Sequence, residues 1–161
     1  GFIALLEDDI EKAAALFTAS LDLLQALQEH RLIPLTVYGL GNLARLRKDY
    51  PLSVQLYRQS LKNILDVEAK VEMPDRIEGI AMIYQQQDHL ECAVRLFGAS
   101  HSLRKAIGIP IPAVARSEYD ASIKALRTRL GGEAFATLWD DGKKMRFEQI
   151  LTLAFEGHLA D

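Results

Sequence analysis

Ala13–Ser20 reads AAALFTAS, and the chain writes the same pattern twice more, as SVQLYRQS at Ser53–Ser60 and as AVRLFGAS at Ala93–Ser100. A small residue stands first (Ala13, Ser53, Ala93) and a leucine fourth (Leu16, Leu56, Leu96). An aromatic stands fifth (Phe17, Tyr57, Phe97) and a serine eighth (Ser20, Ser60, Ser100). The interval is forty residues both times. A fixed period of that size is the signature of one supersecondary unit stacked on copies of itself. The period also runs backwards, through Gly1, Gly41 and Ala81, through Ile3, Leu43 and Ile83, and through Ala4, Ala44 and Tyr84. The unit is therefore helix–turn–helix. The first copy opens partway through its first helix, so the chain reads as a fragment of a longer polypeptide.

Apolar spacing places the helices. Residues 2–7 read as a helix end, and Glu7-Asp8-Asp9 as an acidic turn. Ile10, Ala13, Ala14, Phe17, Leu21, Leu24 and Leu27 then step by threes and fours along a helix reaching about His30. Pro34 and Pro74, forty residues apart, suit a helix's first turn, where proline's missing N–H has no intrahelical partner to lose. Helices are expected from Leu35 to about Lys48, from Pro51 to about Lys70, from Asp75 to Gln87 and from His89 to about Ile107. Gly39 and Gly41 lie inside the first of these, and a mid-helix glycine costs roughly 1 kcal/mol against alanine. That cost predicts a close backbone approach at both. After Gly108 the repeat stops. Ile109-Pro110-Ile111-Pro112 forces extended backbone. Helices follow over Ala113–Leu130, over Glu133–Trp139 with Asp140-Asp141-Gly142 as its end, and over Phe147–Phe155.

The composition is that of an ordinary folded protein, 49% hydrophobic and 25% charged over 161 residues. A net charge of −3 argues against a nucleic-acid surface spread over the whole chain. Cys92 is the only cysteine, so neither a disulfide framework nor a multi-cysteine metal site can form. No apolar run reaches the ~20 residues that span a bilayer, and no signal peptide is visible. A cytoplasmic location is expected.

A small residue and an aromatic in the second helix, with a small residue in the first, resemble the tetratricopeptide repeat. The repeat's first-helix glycine or alanine falls on Gly1, Gly41 and Ala81, and its tyrosine position on Tyr84. Its second-helix alanine falls on Ala13, Ser53 and Ala93, and its aromatic on Phe17, Tyr57 and Phe97. Val37 and Ile77 replace its tryptophan, and the period is forty rather than thirty-four. Residues 96–157 resemble the C-terminal arm of large bacterial signalling ATPases, the LuxR-family and related adenylate-cyclase-like or SARP-type regulators. The resemblance rests on Leu96-Phe97-Gly98-Ala99, the proline pair at 110 and 112, the Tyr119 helix, Leu130–Phe135, and Trp139 followed by Gly142. Arg146 stands where that arm carries a serine or threonine able to cap the last helix. The resemblance implies a regulatory arm joined to an ATPase and, often, a DNA-binding module. These residues hold no Gly-x4-Gly-Lys-Ser/Thr loop for phosphate.

The expected fold is all-α: a tetratricopeptide-like right-handed superhelix of three units over residues 1–108, the first truncated, with a helical cap over 109–161. Ala13, Phe17, Ser53, Tyr57, Ala93 and Phe97 form its core seam. The resemblance puts the concave groove on the first helices, at Leu35, Tyr38, Asn42 and Arg45, then Asp75, Glu78, Met82 and Gln85, with Phe2 and Leu5 as counterparts in the truncated unit. Such a mixed surface suits a peptide or another helix, although a solvated face needs no partner. His89, Glu91 and Cys92 are too few for a metal site. Asp8-Asp9 and Asp140-Asp141 read as turn and helix-start acids. Lys143-Lys144-x-Arg146 is a short basic run, and Trp139 an anchor of the tail on the last repeat. The expected function is non-catalytic protein binding within a transcription regulator, with no cofactor, no membrane and no direct nucleic-acid contact. Enclosure of a small-molecule effector and self-association as a homo-oligomer are the alternatives.

Overall fold

The forty-residue register reappears as hydrogen bonds in a computed structural model of the protein, which describes residues 9–67 and 70–157. Asp9 Oδ1 accepts from the Lys12 N–H at 3.0 Å, and forty residues on Asp49 Oδ1 accepts from the Leu52 N–H at 3.2 Å. Each carboxylate satisfies a donor that the helix's first turn leaves without an intrahelical partner. His89 holds the third position of this column and caps with no side-chain bond.

Eight α-helices follow one another, and no strand occurs among the described residues: α1 (Ile10–Ala26), α2 (Ile33–Leu46), α3 (Tyr50–Val67), a 3-10 turn (Lys70–Glu72), α4 (Met73–Gln86), α5 (Leu90–Ile107), α6 (Ala113–Leu130), α7 (Gly132–Lys144) and α8 (Phe147–Glu156). The fold is all-α. The turns after α2 and α4 are copies of each other. Lys48 and Asp88 take left-handed φ values of 61° and 70°. Asp49 N–H bonds to Ala44 O and His89 N–H to Tyr84 O, both at 2.8 Å. Lys48 N–H bonds to Arg45 O at 2.9 Å, as Asp88 N–H does to Gln85 O at 3.3 Å. This paired closure of the last carbonyls is the Schellman arrangement.

The chain divides into two compact units after Glu72. In the first, α2 packs on α1 and α3. Ala13, Phe17 and Leu43 form a buried cluster, with Ile10, Ala14 and Leu40 at its margin. The two mid-helix glycines of α2 make room for rings rather than for backbone. A Cβ on Gly39 would strike the Phe17 ring, and one on Gly41 would come within 2.7 Å of the Tyr57 ring. Ser53 Oγ donates to Gly41 O at 2.7 Å and Ser60 Oγ to Pro34 O at 2.6 Å, so the small residues of α3 also tie it to α2.

In the second unit α5 lies at the centre, packed on α4 and on α7. Ser100 Oγ stands 3.4 Å from Pro74 O, at the same spacing as the Ser60–Pro34 bond, but its single proton is directed mainly to the nearer Glu78 carboxylate. The contact with α7 is backbone to backbone: a Cβ on Gly98 would strike the Trp139 carbonyl oxygen, and one on Gly142 the Arg95 carbonyl oxygen. Tyr84 Oη donates to the Leu153 and Ala154 carbonyls at 3.2 and 3.3 Å and ties α4 to α8. Phe97 meets Tyr119 of α6 edge-on, with 5.4 Å between ring centres. The helices after Gly108 thus share one core with α4 and α5.

Several boundaries differ from expectation. α1 stops at Ala26, because Leu27 caps it and Gln28 takes a φ of 56°. α2 and α4 start earlier, with Pro34 and Pro74 inside the first turn. α7 runs on to Lys144 instead of ending at Asp140-Asp141-Gly142; Gly142 is a crossing glycine and not a terminator. α8 is preceded by Arg146 as its N-cap, with half of a capping box: Gln149 Oε1 accepts from the Arg146 N–H at 2.9 Å. The reciprocal bond needs a side-chain acceptor, which arginine lacks. The expected helix end over 2–7, the first members Gly1, Ile3 and Ala4 of the three columns, Phe2, Leu5 and Asp8 lie outside the described residues.

Candidate functional site

The most polar interior group belongs to α4 and α5. Arg104 of α5 is 7% exposed and Glu78 of α4 5%. Arg104 Nε donates to Glu78 Oε1 at 2.8 Å and Nη2 to Oε2 at 2.9 Å, a fork-on-fork pair. Ser100 Oγ adds a bond to Glu78 Oε1 at 2.5 Å. Arg104 also ion-pairs with Asp75 and donates to Pro110 O at 3.1 Å. Burial alone would push the guanidinium pKa down, but the hydrogen bonds and charges of Glu78 and Asp75 outweigh it and hold it above the ordinary arginine value. Beside this group, burial raises the Tyr119 phenol well above the usual tyrosine range, and the Glu78 charge adds to the effect. Among the described residues no buried polar side-chain atom lacks a partner. The cluster holds α4, α5 and the proline break together.

The eight residues assigned to a groove from sequence fall into two groups. On α2, Leu35 is exposed, while Tyr38, Asn42 and Arg45 are half-buried and converge on Tyr57. Tyr57 Oη donates to Asn42 Oδ1 at 2.6 Å, Arg45 Nε donates to Tyr57 Oη at 3.3 Å, and the Tyr38 ring lies 5.5 Å from that of Tyr57. On α4, Asp75 and Glu78 belong to the Arg104 cluster. Gln85 is buried, with its Nε2 donating to Ser122 O of α6 at 3.3 Å, and Met82 is half-buried. The six seam residues Ala13, Phe17, Ser53, Tyr57, Ala93 and Phe97 are all buried.

Other residues singled out from sequence find local partners. The Cys92 thiol donates to Gly157 O at 3.3 Å, and burial raises its pKa. His89 sits edge-on to Tyr84. Lys143 Nζ pairs with Asp140 at 2.7 Å and holds that carboxyl below its ordinary pKa. Among the described residues no three His, Cys, Asp or Glu side chains cluster to hold a metal, and no helix is long and apolar enough to cross a membrane.

One open cleft stands out in the second unit, where α6 and α7 diverge beside α5. Its volume is about 450 Å³, and Trp139, His101, Ile123, Arg116, Lys124 and Arg127 contribute to its lining. An adjoining recess of about 260 Å³ shares Ile123, Arg127 and Trp139 and reaches Phe135. Trp139 stacks on Phe135 at 5.5 Å and lies 5.5 Å from the His101 ring, while the Arg127 guanidinium rests 5.0 Å from the Phe135 centroid. Arg116, Lys124 and Arg127 sit eight and three residues apart on α6, one face of a helix. That spacing, with a tryptophan on the next helix, was the available sequence signal. It lies outside the repeat, where the forty-residue register gives no guide.

Family models, curated proteins and solved structures give no match to the chain.

Proposed function

We propose that the chain is a non-catalytic helical-repeat module of the tetratricopeptide type, with its units stacked in a right-handed superhelix, and that it holds a protein or peptide partner. The observation that carries this reading is the repetition of specific bonds in the two units. The Schellman turns at Lys48 and Asp88 match bond for bond, and Ser100 stands over Pro74 O at the position from which Ser60 binds Pro34 O. A repeat protein of this kind spends its recurring residues on stacking and leaves recognition to variable side chains on exposed faces. The proposed origin in a bacterial signalling ATPase rests on the resemblance of residues 96–157, whose motif residues come together in the fold. Gly98 of Leu96–Ala99 and the Trp139/Gly142 pair meet at a single helix crossing. As the arm of such a regulator, the module would act by population shift, a partner favouring one arrangement of arm and ATPase over another.

The test is selection of a displayed random-peptide library on the 161-residue chain. Enrichment of related sequences, whose synthetic copies bind the folded chain with a saturable isotherm, is the expected result. No enrichment, with the chain folded by far-ultraviolet dichroism, overturns the reading.

A further inference from the structure

We infer that the cleft between α6 and α7 binds an acidic peptide segment carrying one large apolar side chain. This deepens the partner-binding reading and rests on it. Three cations, Arg116, Lys124 and Arg127, line the larger cleft against a single carboxylate, Asp120, and Asp140, which lines the adjoining recess, is paired with Lys143. The chain as a whole is acidic, at −3, so the local sign is opposite to the global one. Arg116 and Lys124 are exposed and form no ion pair among the described residues. Their charge is free to meet an external anion.

The shape selects a peptide. Arg116 to Arg127 spans about 16 Å of helix at ~1.5 Å per residue. An extended peptide covers that length in about five residues at ~3.3 Å each. Near the middle, Ile123 and Trp139 present apolar surface, and the recess at Phe135 gives a large side chain somewhere to go. Acids on either side of that side chain would face Arg116 at one end and Lys124 and Arg127 at the other. A nucleic-acid strand fits less well. Asp120 stands one helical turn from both Arg116 and Lys124, and a backbone charged at every step would have to run over it. A peptide can place a neutral residue there.

The chain contains one tryptophan, and it lies in this cleft. Intrinsic fluorescence therefore reads the site directly. The probe is the N-acetylated, C-amidated pentapeptide Asp-Glu-Phe-Glu-Asp, which contributes no tryptophan signal. The expected result is a saturable change in Trp139 emission that weakens with added salt, as screening requires. Arg116→Glu and Lys124→Glu each weaken binding at least tenfold, and the glutamine variants lie between. Both sites are exposed, so dichroism and melting temperature stay at the parent values. Replacing the central phenylalanine of the peptide with alanine also weakens binding. Absence of a saturable change at millimolar peptide overturns the inference, as does equal binding of Lys-Lys-Phe-Lys-Lys. Tighter binding of a thymidine pentanucleotide than of the acidic peptide overturns it too. Library-selected peptides that bind without moving Trp139 emission would overturn the cleft assignment while leaving the module reading in place.

Discussion

Gly142 sits in the middle of α7, where alanine would ordinarily favour the helix by about 1 kcal/mol. Here the sign reverses. An added methyl at Gly142 would strike the Arg95 carbonyl oxygen, and one at Gly98 the Trp139 carbonyl oxygen. Backbone cannot swing aside as a side chain does, so α5 and α7 must separate. Gly142→Ala and Gly98→Ala are each expected to lose roughly 1–3 kcal/mol, the range of overpacked interiors. Gly132→Ala, with no neighbour near its Cβ, should be neutral or better. Urea unfolding followed at Trp139 checks all three; a Gly142→Ala midpoint at or above the parent's would refute the crossing. Half of this is legible in the sequence. Gly39 and Gly41 stand out by their cost in a helix, and the structure gives them aromatic neighbours. Gly142 reads as a terminator, because Asp-Asp-Gly is ordinary turn chemistry and nothing local announces a crossing helix.

Between elements, the α4–α5 contact depends on Glu78. Glu78→Gln keeps the shape but leaves the Arg104 guanidinium buried opposite a neutral amide. Removing one partner of a buried pair costs about 3–5 kcal/mol, and a loss of that size in chemical denaturation is the expected outcome. A loss under about 1 kcal/mol would mean the pair behaves like an exposed one. This pair is not legible in the sequence. The forty-residue column of Arg104 holds Ile64, and that of Glu78 holds Tyr38, so the repeat gave no hint of charge at either position. The serine and proline columns were legible, and they mark a contact that recurs: Ser60 to Pro34, Ser100 to Pro74. On α2, Tyr38, Asn42 and Arg45 steady the ring and hydroxyl of Tyr57. Changing all three therefore alters the support of a buried tyrosine as well as any surface they offer.

For the molecule as a whole, Tyr119 bears on the alkaline limit of stability. Its folded pKa lies above the unfolded value near 10, so the native state prefers the neutral phenol. The stability this lends is complete below about pH 10. It falls as the pH rises further, because the unfolded chain ionises while the native one resists. Tyr119→Phe should therefore lose less stability than the parent between about pH 10 and 11, with both compared by urea midpoint at each pH. Equal slopes would show that Tyr119 ionises as freely in the fold as outside it. The all-α class and the order of the helices were legible at this scale because apolar spacing and the forty-residue period are strong, redundant signals. The cleft was not, since it depends on how α6 and α7 diverge, and that is a matter of packing rather than of periodicity. One feature of the fold bears on heat tolerance. Lys48 and Asp88 close their turns in a left-handed conformation that side chains other than glycine occupy at a penalty of roughly 1–2 kcal/mol. Asp88 offsets some of that through its ion pair with Arg129. With Gln28, which holds the same conformation after α1, three surface turns thus keep the protein below its attainable melting temperature, and an engineer could raise it there without disturbing a single buried contact.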